Sequence, residues 1–143
     1  MEMFGYEFRD AALLETALTT PSYRMDRPEA ADNQRLEFLG DAVLGLLSAE
    51  RVFAEFPDDP EGPLTVRRTH MVSSAALCEV AARVGLAERL RRNRGAAALP
   101  KNAKTLADAI EAIIGAAYLD GGFAAAKTVF ESLALNANAA EDE

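Results

Sequence analysis

Two stretches decide the reading: Arg35-Leu-Glu-Phe-Leu-Gly-Asp-Ala-Val-Leu-Gly-Leu-Leu47 and Leu106-Ala-Asp-Ala-Ile-Glu-Ala-Ile-Ile-Gly-Ala-Ala-Tyr-Leu119. Neither contains proline, and both are rich in Ala and Leu, so both read as helices. After Arg35 the first carries only Glu37 and Asp41 as charges, and the second only Asp108 and Glu111. At about 100° per residue Glu37 and Asp41 share one narrow face, with Gln34 a turn earlier, and Asp108 and Glu111 share another. Apolar surface on most other sides predicts that both helices are largely buried. Ionised carboxylates in such places cost several kcal/mol unless something positive answers them. Lys104, one turn before Asp108, is the only cation on either stripe. Four converging acids would repel, leaving at least one protonated, and a hard divalent ion with oxygen ligands would resolve the conflict. Gly45 and Gly115 lie four residues beyond Asp41 and Glu111, where a missing side chain lets a partner approach. Spacing alone leaves two readings open, an acidic metal site or two pairs of solvent-facing acids.

Outward from these stretches the punctuation is helical throughout. Asp10 caps a first helix from Ala11 to about Thr19, stopped by Pro21. Met25 to Asp32 reads as a loop, and the first acidic helix runs from about Asn33 to Glu55, ended by Pro57 and Pro60. Pro63 lies near the start of the next helix, a favoured place for proline. Ser73 or Ser74 caps another, which Gly85 ends in a left-handed turn. Arg89 to Lys101 reads as a short helical turn and a loop. The second acidic helix spans about Ala103 to Leu119, Asp120-Gly121-Gly122 breaks it, and a last helix runs from Phe123 to about Leu135. No strand, repeat or linker is evident. The expectation is an all-α single domain over residues 1–135, with 136–143 a disordered acidic tail.

Composition bounds the function. The 143 residues are 50% hydrophobic and 27% charged, enough for one domain with a real core. The net charge of −8 argues against a nucleic-acid partner until its distribution is read. Arg67 to Lys104 holds nine bases and two acids, so this segment carries +7 and the remainder −15. A local basic patch of that kind attracts phosphate. The single cysteine, Cys78, allows no internal disulfide, and a reduced, cytoplasmic setting is expected. The start lacks the basic and apolar regions of a signal peptide, and no apolar run approaches the roughly 20 residues of a membrane span. His70 has no companions at zinc spacing.

Asn33-Gln-Arg-Leu-Glu-Phe-Leu-Gly-Asp-Ala-Val-Leu44 closely resembles the ribonuclease III signature N-E-R-L-E-F-L-G-D-[AS]-[VI]-L, departing only at Gln34. Ala17-Leu-Thr-Thr-Pro-Ser-Tyr23 resembles the A-L-T-H-x-S-Y element, with Thr20 where histidine is usual. Glu61-Gly-Pro-Leu-Thr65 resembles the E-G-x-L-[ST] turn, and Lys104 to Asp120 the second acidic motif. The resemblance covers residues 4 to 135.

It implies a helical, magnesium-dependent endonuclease for double-stranded or structured RNA, with Mn²⁺ as a substitute ion and no membrane or organic cofactor. Glu37, Asp41, Asp108 and Glu111 are the implied catalytic acids and metal site, and Asp41 helps to hold the hydrated ion and the attacking water. Gln34 and Glu61 are auxiliary. Arg67, Arg68, Arg91, Arg92, Arg94, Lys101 and Lys104 are the expected RNA contacts. The family cuts as a homodimer, with the acidic helices lining one valley and each cluster cutting one strand, to leave a 5′-phosphate and a 3′-hydroxyl. Phe38 matches the aromatic that plugs a cavity in the partner. Common members continue into a double-stranded-RNA-binding domain where this chain ends, so the expectation is a stand-alone catalytic domain, with ribosomal RNA maturation one possible task. Two other readings are a non-catalytic dimeric RNA-binding or ribosome-associated protein on the same fold and an accessory subunit. Retention of all four acids argues against the first.

Overall fold

The computed structural model describes residues 1–93, 95 and 97–137. Among these residues five helices follow one another: α1 (Ala11–Ala17), α2 (Gln34–Glu55), α3 (Glu61–Met71), α4 (Ser74–Arg83) and α5 (Lys104–Ser132). Short 3-10 turns at Pro21–Met25 and Leu86–Arg89 fill two of the connections. A two-strand antiparallel hairpin precedes α1, β1 (Glu2–Met3) against β2 (Tyr6–Glu7). This corrects the strand-free expectation: two-residue strands are too short to show alternation, and their turn is made by Phe4 and Gly5 at φ 52° and 75°.

The helix ends follow the expected chemistry. Asp10 accepts a hydrogen bond from the Ala12 N–H at 3.0 Å, and Ser73 Oγ accepts one from Ala76 at 3.1 Å. Gly85 takes the left-handed conformation after α4. The stretch expected to break at Asp120-Gly121-Gly122 does so at Gly122, with φ 76° and ψ −166° inside α5. Helix α1 ends two residues early because Thr19 and Thr20 leave it for a bridge: the Arg91 N–H donates to the Leu18 carbonyl, and the Thr20 N–H to the Arg91 carbonyl.

α5 is the axis of the core. Ala109, Ile110, Ala112, Ile113, Ile114, Ala116 and Ala117 are all fully buried, and α2, α4 and α1 pack around them. The helix is long and apolar enough to cross a membrane by length and composition, but much of that apolar surface lies in the core. α2 does not share this burial, contrary to expectation. One side (Leu36, Gly40, Val43, Leu44, Leu47, Val52) packs inward, while Phe38, Leu46 and Phe53 are 83%, 58% and 74% exposed. Leu135 and Ala137 are buried against the core, and the expected tail beyond them lies outside the described residues.

The α2–α5 contact is closest at two glycines. A Cβ on Gly40 would overlap the Glu111 carbonyl, and one on Gly115 would overlap the Leu36 carbonyl. Nothing lies within 4 Å of a Cβ on Gly45. Gly40→Ala should therefore cost about 3 kcal/mol or more by forcing the helices apart. Gly45→Ala should be neutral or stabilise by up to about 1 kcal/mol. Chemical denaturation of the two variants checks the contrast, and equal effects would contradict the crossing.

Candidate metal centre

Each acid is placed by a short chain of contacts. Asn33, 2% exposed, donates from Nδ2 to the Ala17 carbonyl at 3.0 Å, and its N–H donates to Thr19 at 2.9 Å. Its own carbonyl accepts the Glu37 N–H at 2.8 Å, so the start of α2 is fastened to the end of α1 one turn before Glu37. At the start of α5 the buried Cys78 thiol donates to the Ala103 carbonyl, the residue that precedes the helix. Beyond the core, the Asp120 carboxylate accepts from the Tyr6 hydroxyl (2.5 Å) and from the N–H groups of Arg9 and Asp10 (2.8 and 2.9 Å). Those bonds hold its pKa below the ordinary value and tie the α5 break to the N-terminal segment.

Between these anchors the crossing brings Glu37, Asp108 and Glu111 together, with one carboxylate oxygen from each within 4.8 Å of the others. All three are partly buried. Asp41 meets the cluster from its exposed side, through a hydrogen bond with Glu111. Burial, that hydrogen bond and the charges of Asp41, Glu37 and Asp108 push the Glu111 pKa up to about 8. Burial and the Asp108 charge raise Glu37 as well, and Lys104 works against them. A raised Glu111 pKa is the response that like-charge crowding demands. Lys104 Nζ lies 2.8 and 2.9 Å from the two Asp108 oxygens and 3.7 Å from Glu37. Its own pKa is raised, chiefly by the Asp108 bond. Three carboxylates with surplus negative charge, open to solvent, are a donor set that fits a hard divalent cation.

The cluster floors a groove of 980 Å³ whose walls include Gln34, Phe38, Arg68, Thr69, Ser73 and Lys104. A smaller depression of 310 Å³ adjoins it, lined by Thr20, Ser22, Asn33, Gln34 and Thr105 together with Glu37, Lys104 and Asp108. Gln34 borders both. Thr20 is buried, and its hydroxyl bonds to Ser22 and to the Arg91 carbonyl. Thr69 and Ser73 were not anticipated as groove walls, since nothing in a solvent-facing helix end announces what it faces.

The expected basic residues divide. Arg68 is exposed and lines the groove. Arg67 is corrected: at 9% exposure it reaches inward, with Nε 2.7 Å from Asp59 and its guanidinium stacked 3.6 Å from the Phe56 ring centre. It fastens the α2–α3 connection and is not available to phosphate. Arg91 is exposed but held by Thr19 Oγ at 3.0 Å, and Arg92 donates to the Ala97 carbonyl at 2.9 Å. Lys101 is exposed, and Arg94 lies outside the described residues. Glu61 does not join the acids; it is exposed at the start of α3 and lines a separate depression with Phe53, Leu64 and Arg68.

A family profile described as Ribonuclease-III-like matches residues 10–137. The chain belongs to the ribonuclease III-like family. It is 46% identical over 127 residues to Ribonuclease 3 of Symbiobacterium thermophilum, covering 88% of this chain and 54% of that one. Ribonuclease 3 of Oleidesulfovibrio alaskensis is 47% identical over 132 residues, 90% of this chain and 58% of that one. The chain thus spans about half the length of the curated relatives it matches. The nuclease domain of ribonuclease III from Campylobacter jejuni superposes with a TM-score of 0.80 at 37% identity, covering 91% of this chain and 90% of that one; that structure concerns a flexible region involved in dimer formation. Dicer from Pichia stipitis matches at TM-score 0.66 and 27% identity over 93% of this chain and 54% of its own.

The raised Glu111 pKa has a signed consequence. Between its ordinary value of 4.5 and about 8, the unfolded chain gives up a proton that the folded chain keeps. Metal-free stability should therefore fall as pH rises through that window and level off above it. Glu111→Gln should remove most of this slope and raise the metal-free melting temperature by a few degrees at pH 8. Thermal melts from pH 5 to 9 in EDTA measure it; a slope unchanged in the variant would mean that Glu111 ionises normally.

Proposed function

We propose that the chain is a divalent-metal-dependent endoribonuclease of ribonuclease III type, hydrolysing phosphodiester bonds in double-stranded or structured RNA to leave 5′-phosphate and 3′-hydroxyl ends. The single observation that carries this reading is the gathering of Glu37, Asp108 and Glu111 within 4.8 Å at the floor of an open groove. Glu37, Asp108 and Glu111 would hold the ion, Mg²⁺ by preference because all the donors are oxygen, with Mn²⁺ a substitute. A bound ion supplies Lewis acidity, making water more acidic and offsetting charge on the phosphate oxygens. Asp41, exposed and hydrogen-bonded with Glu111, would help to hold the hydrated ion and the attacking water. Arg68, on the groove wall, can pair with a backbone phosphate next to the cut, and Lys101, Arg91 and Arg92 can meet phosphates farther along. Gln34 can hydrogen-bond substrate beside Glu37 but cannot serve as an extra carboxylate.

Dimerisation belongs to the same reading. Phe38, Leu46 and Phe53 make one exposed apolar side of α2, and Phe38 also borders the catalytic groove. An apolar stripe of that kind on a soluble domain wants a partner surface, and a two-fold pairing would set two acidic clusters facing one duplex. A cytoplasmic location is consistent with the buried, unpaired Cys78. A binding-only role is disfavoured by the retained acids, which burden the fold without a metal.

Purified protein incubated with labelled duplex RNA tests the activity. Cleavage should require Mg²⁺ or Mn²⁺, stop in EDTA, and fall by orders of magnitude in Glu111→Gln while duplex binding in Ca²⁺ survives. Cutting in excess EDTA would refute the metal reading. For the dimer, Phe38→Ala should shift sedimentation toward monomer at micromolar concentration, with a loss of about 3 kcal/mol per side. A variant dimer as stable as the parent would return Phe38 to an incidental surface role.

A further inference from the structure

Lys104 is a cation already engaged by the acid cluster. Its ammonium touches both oxygens of Asp108 (2.8 and 2.9 Å) and lies 3.7 Å from Glu37, so it contacts two of the three gathered carboxylates. The side chain is 78% exposed, and among the described residues its polar contacts are with these acids. An ammonium engaging both Asp108 oxygens takes up acceptor sites that a metal would also use, and two cations a few ångströms apart repel. Metal binding at Asp108 therefore competes with the lysine. Lys104 also borders the smaller depression, whose Thr20, Ser22 and Thr105 hydroxyls and Asn33 and Gln34 amides offer oxygens to a displaced ammonium.

We infer that Lys104 is a resident counter-ion of the metal centre: it holds Glu37 and Asp108 together before the metal arrives, swings into the smaller depression when it binds, and so raises the metal concentration the centre needs. This rests on the metal-dependent reading of the site. The lysine's own contact is solvent-exposed and therefore weak. Its removal should accordingly tighten metal binding by roughly three- to tenfold, about 0.7–1.4 kcal/mol.

The test needs no RNA. Free Mn²⁺ is followed by electron paramagnetic resonance while the full chain is titrated, using the parent, Lys104→Met, Lys104→Arg and Glu111→Gln. Lys104→Met should bind Mn²⁺ three- to tenfold more tightly, and Lys104→Arg, which keeps the charge, should stay near the parent. The rise in melting temperature on adding Mn²⁺ should also be larger in Lys104→Met, since its metal-free form has lost its counter-ion. That readout holds even if the metal-free variant is partly unfolded. Unchanged or weaker binding in Lys104→Met would overturn the inference, as would equal tightening in Lys104→Arg, while parent binding that Glu111→Gln abolishes would keep the metal centre itself. Absence of Mn²⁺ binding in the parent would overturn both.

Discussion

Where α2 crosses α5, Gly40 and Gly115 let the two backbones touch, and the position of every acid in the molecule's centre follows from that contact. A Cβ at either glycine would overlap a carbonyl of the opposite helix. Glu37 and Asp41 lie within one turn of Gly40, and Asp108 and Glu111 within two turns of Gly115. Closing the backbones to contact distance therefore presses the four carboxylates into one corner. A pair of helices spaced at the usual 8–10 Å would leave those side chains room to turn apart into water. Here the apolar burial of Leu36, Leu44 and Leu47, on the same side of α2 as Gly40, holds the crossing shut and offsets the repulsion among the acids.

That opposition explains the electrostatics. The fold holds negative charge at a place it would not choose for stability, and the response takes three forms: a Glu111 pKa pushed up to about 8, a hydrogen bond between Glu111 and Asp41, and a lysine laid across Asp108 and Glu37. Each is a partial answer to one deficit of positive charge. Asp120 shows the contrast. Its carboxylate accepts three hydrogen bonds from the N-terminal segment, its pKa moves down, and it simply fastens two parts of the chain. Acids that stabilise a fold look like Asp120, and those that wait for a ligand look like Glu111.

Much of this was legible in the sequence because it was carried by local chemistry. Proline and glycine positions and the Asp10 and Ser73 caps marked the helices nearly to their observed ends, and helical spacing paired Glu37 with Asp41 and Asp108 with Glu111. The expectation that crowding would leave one acid protonated needed only their convergence. What escaped were facts about which neighbour a side chain meets. Arg67 and Arg68 are adjacent and chemically alike, but Arg67 folds back onto Phe56 and Asp59 while Arg68 faces the groove. Periodicity named Gly45 and Gly115 as the close-approach residues; the structure uses Gly115 with Gly40, and Gly45 faces open space. The hairpin at Glu2–Met3 and Tyr6–Glu7 is too short to have a period at all.

The difference between the two acidic helices carries the remaining step. Their sequences are similarly apolar, yet α5 spends its surface on the core while α2 spends only half and turns Phe38, Leu46 and Phe53 outward. Those exposed side chains sit on the same helix as Glu37 and Asp41, and Phe38 borders the groove that the acids floor. Any surface that covers Phe38 must therefore come to the edge of the metal centre. In a two-fold assembly it would bring a second copy of the acids with it. Cutting both strands of a duplex in one encounter requires two sites held at a fixed separation. A single helix of 22 residues that carries Glu37 and Asp41 and also presents the apolar surface would couple the two demands, so that assembly and chemistry on the proposed reading would depend on the same element.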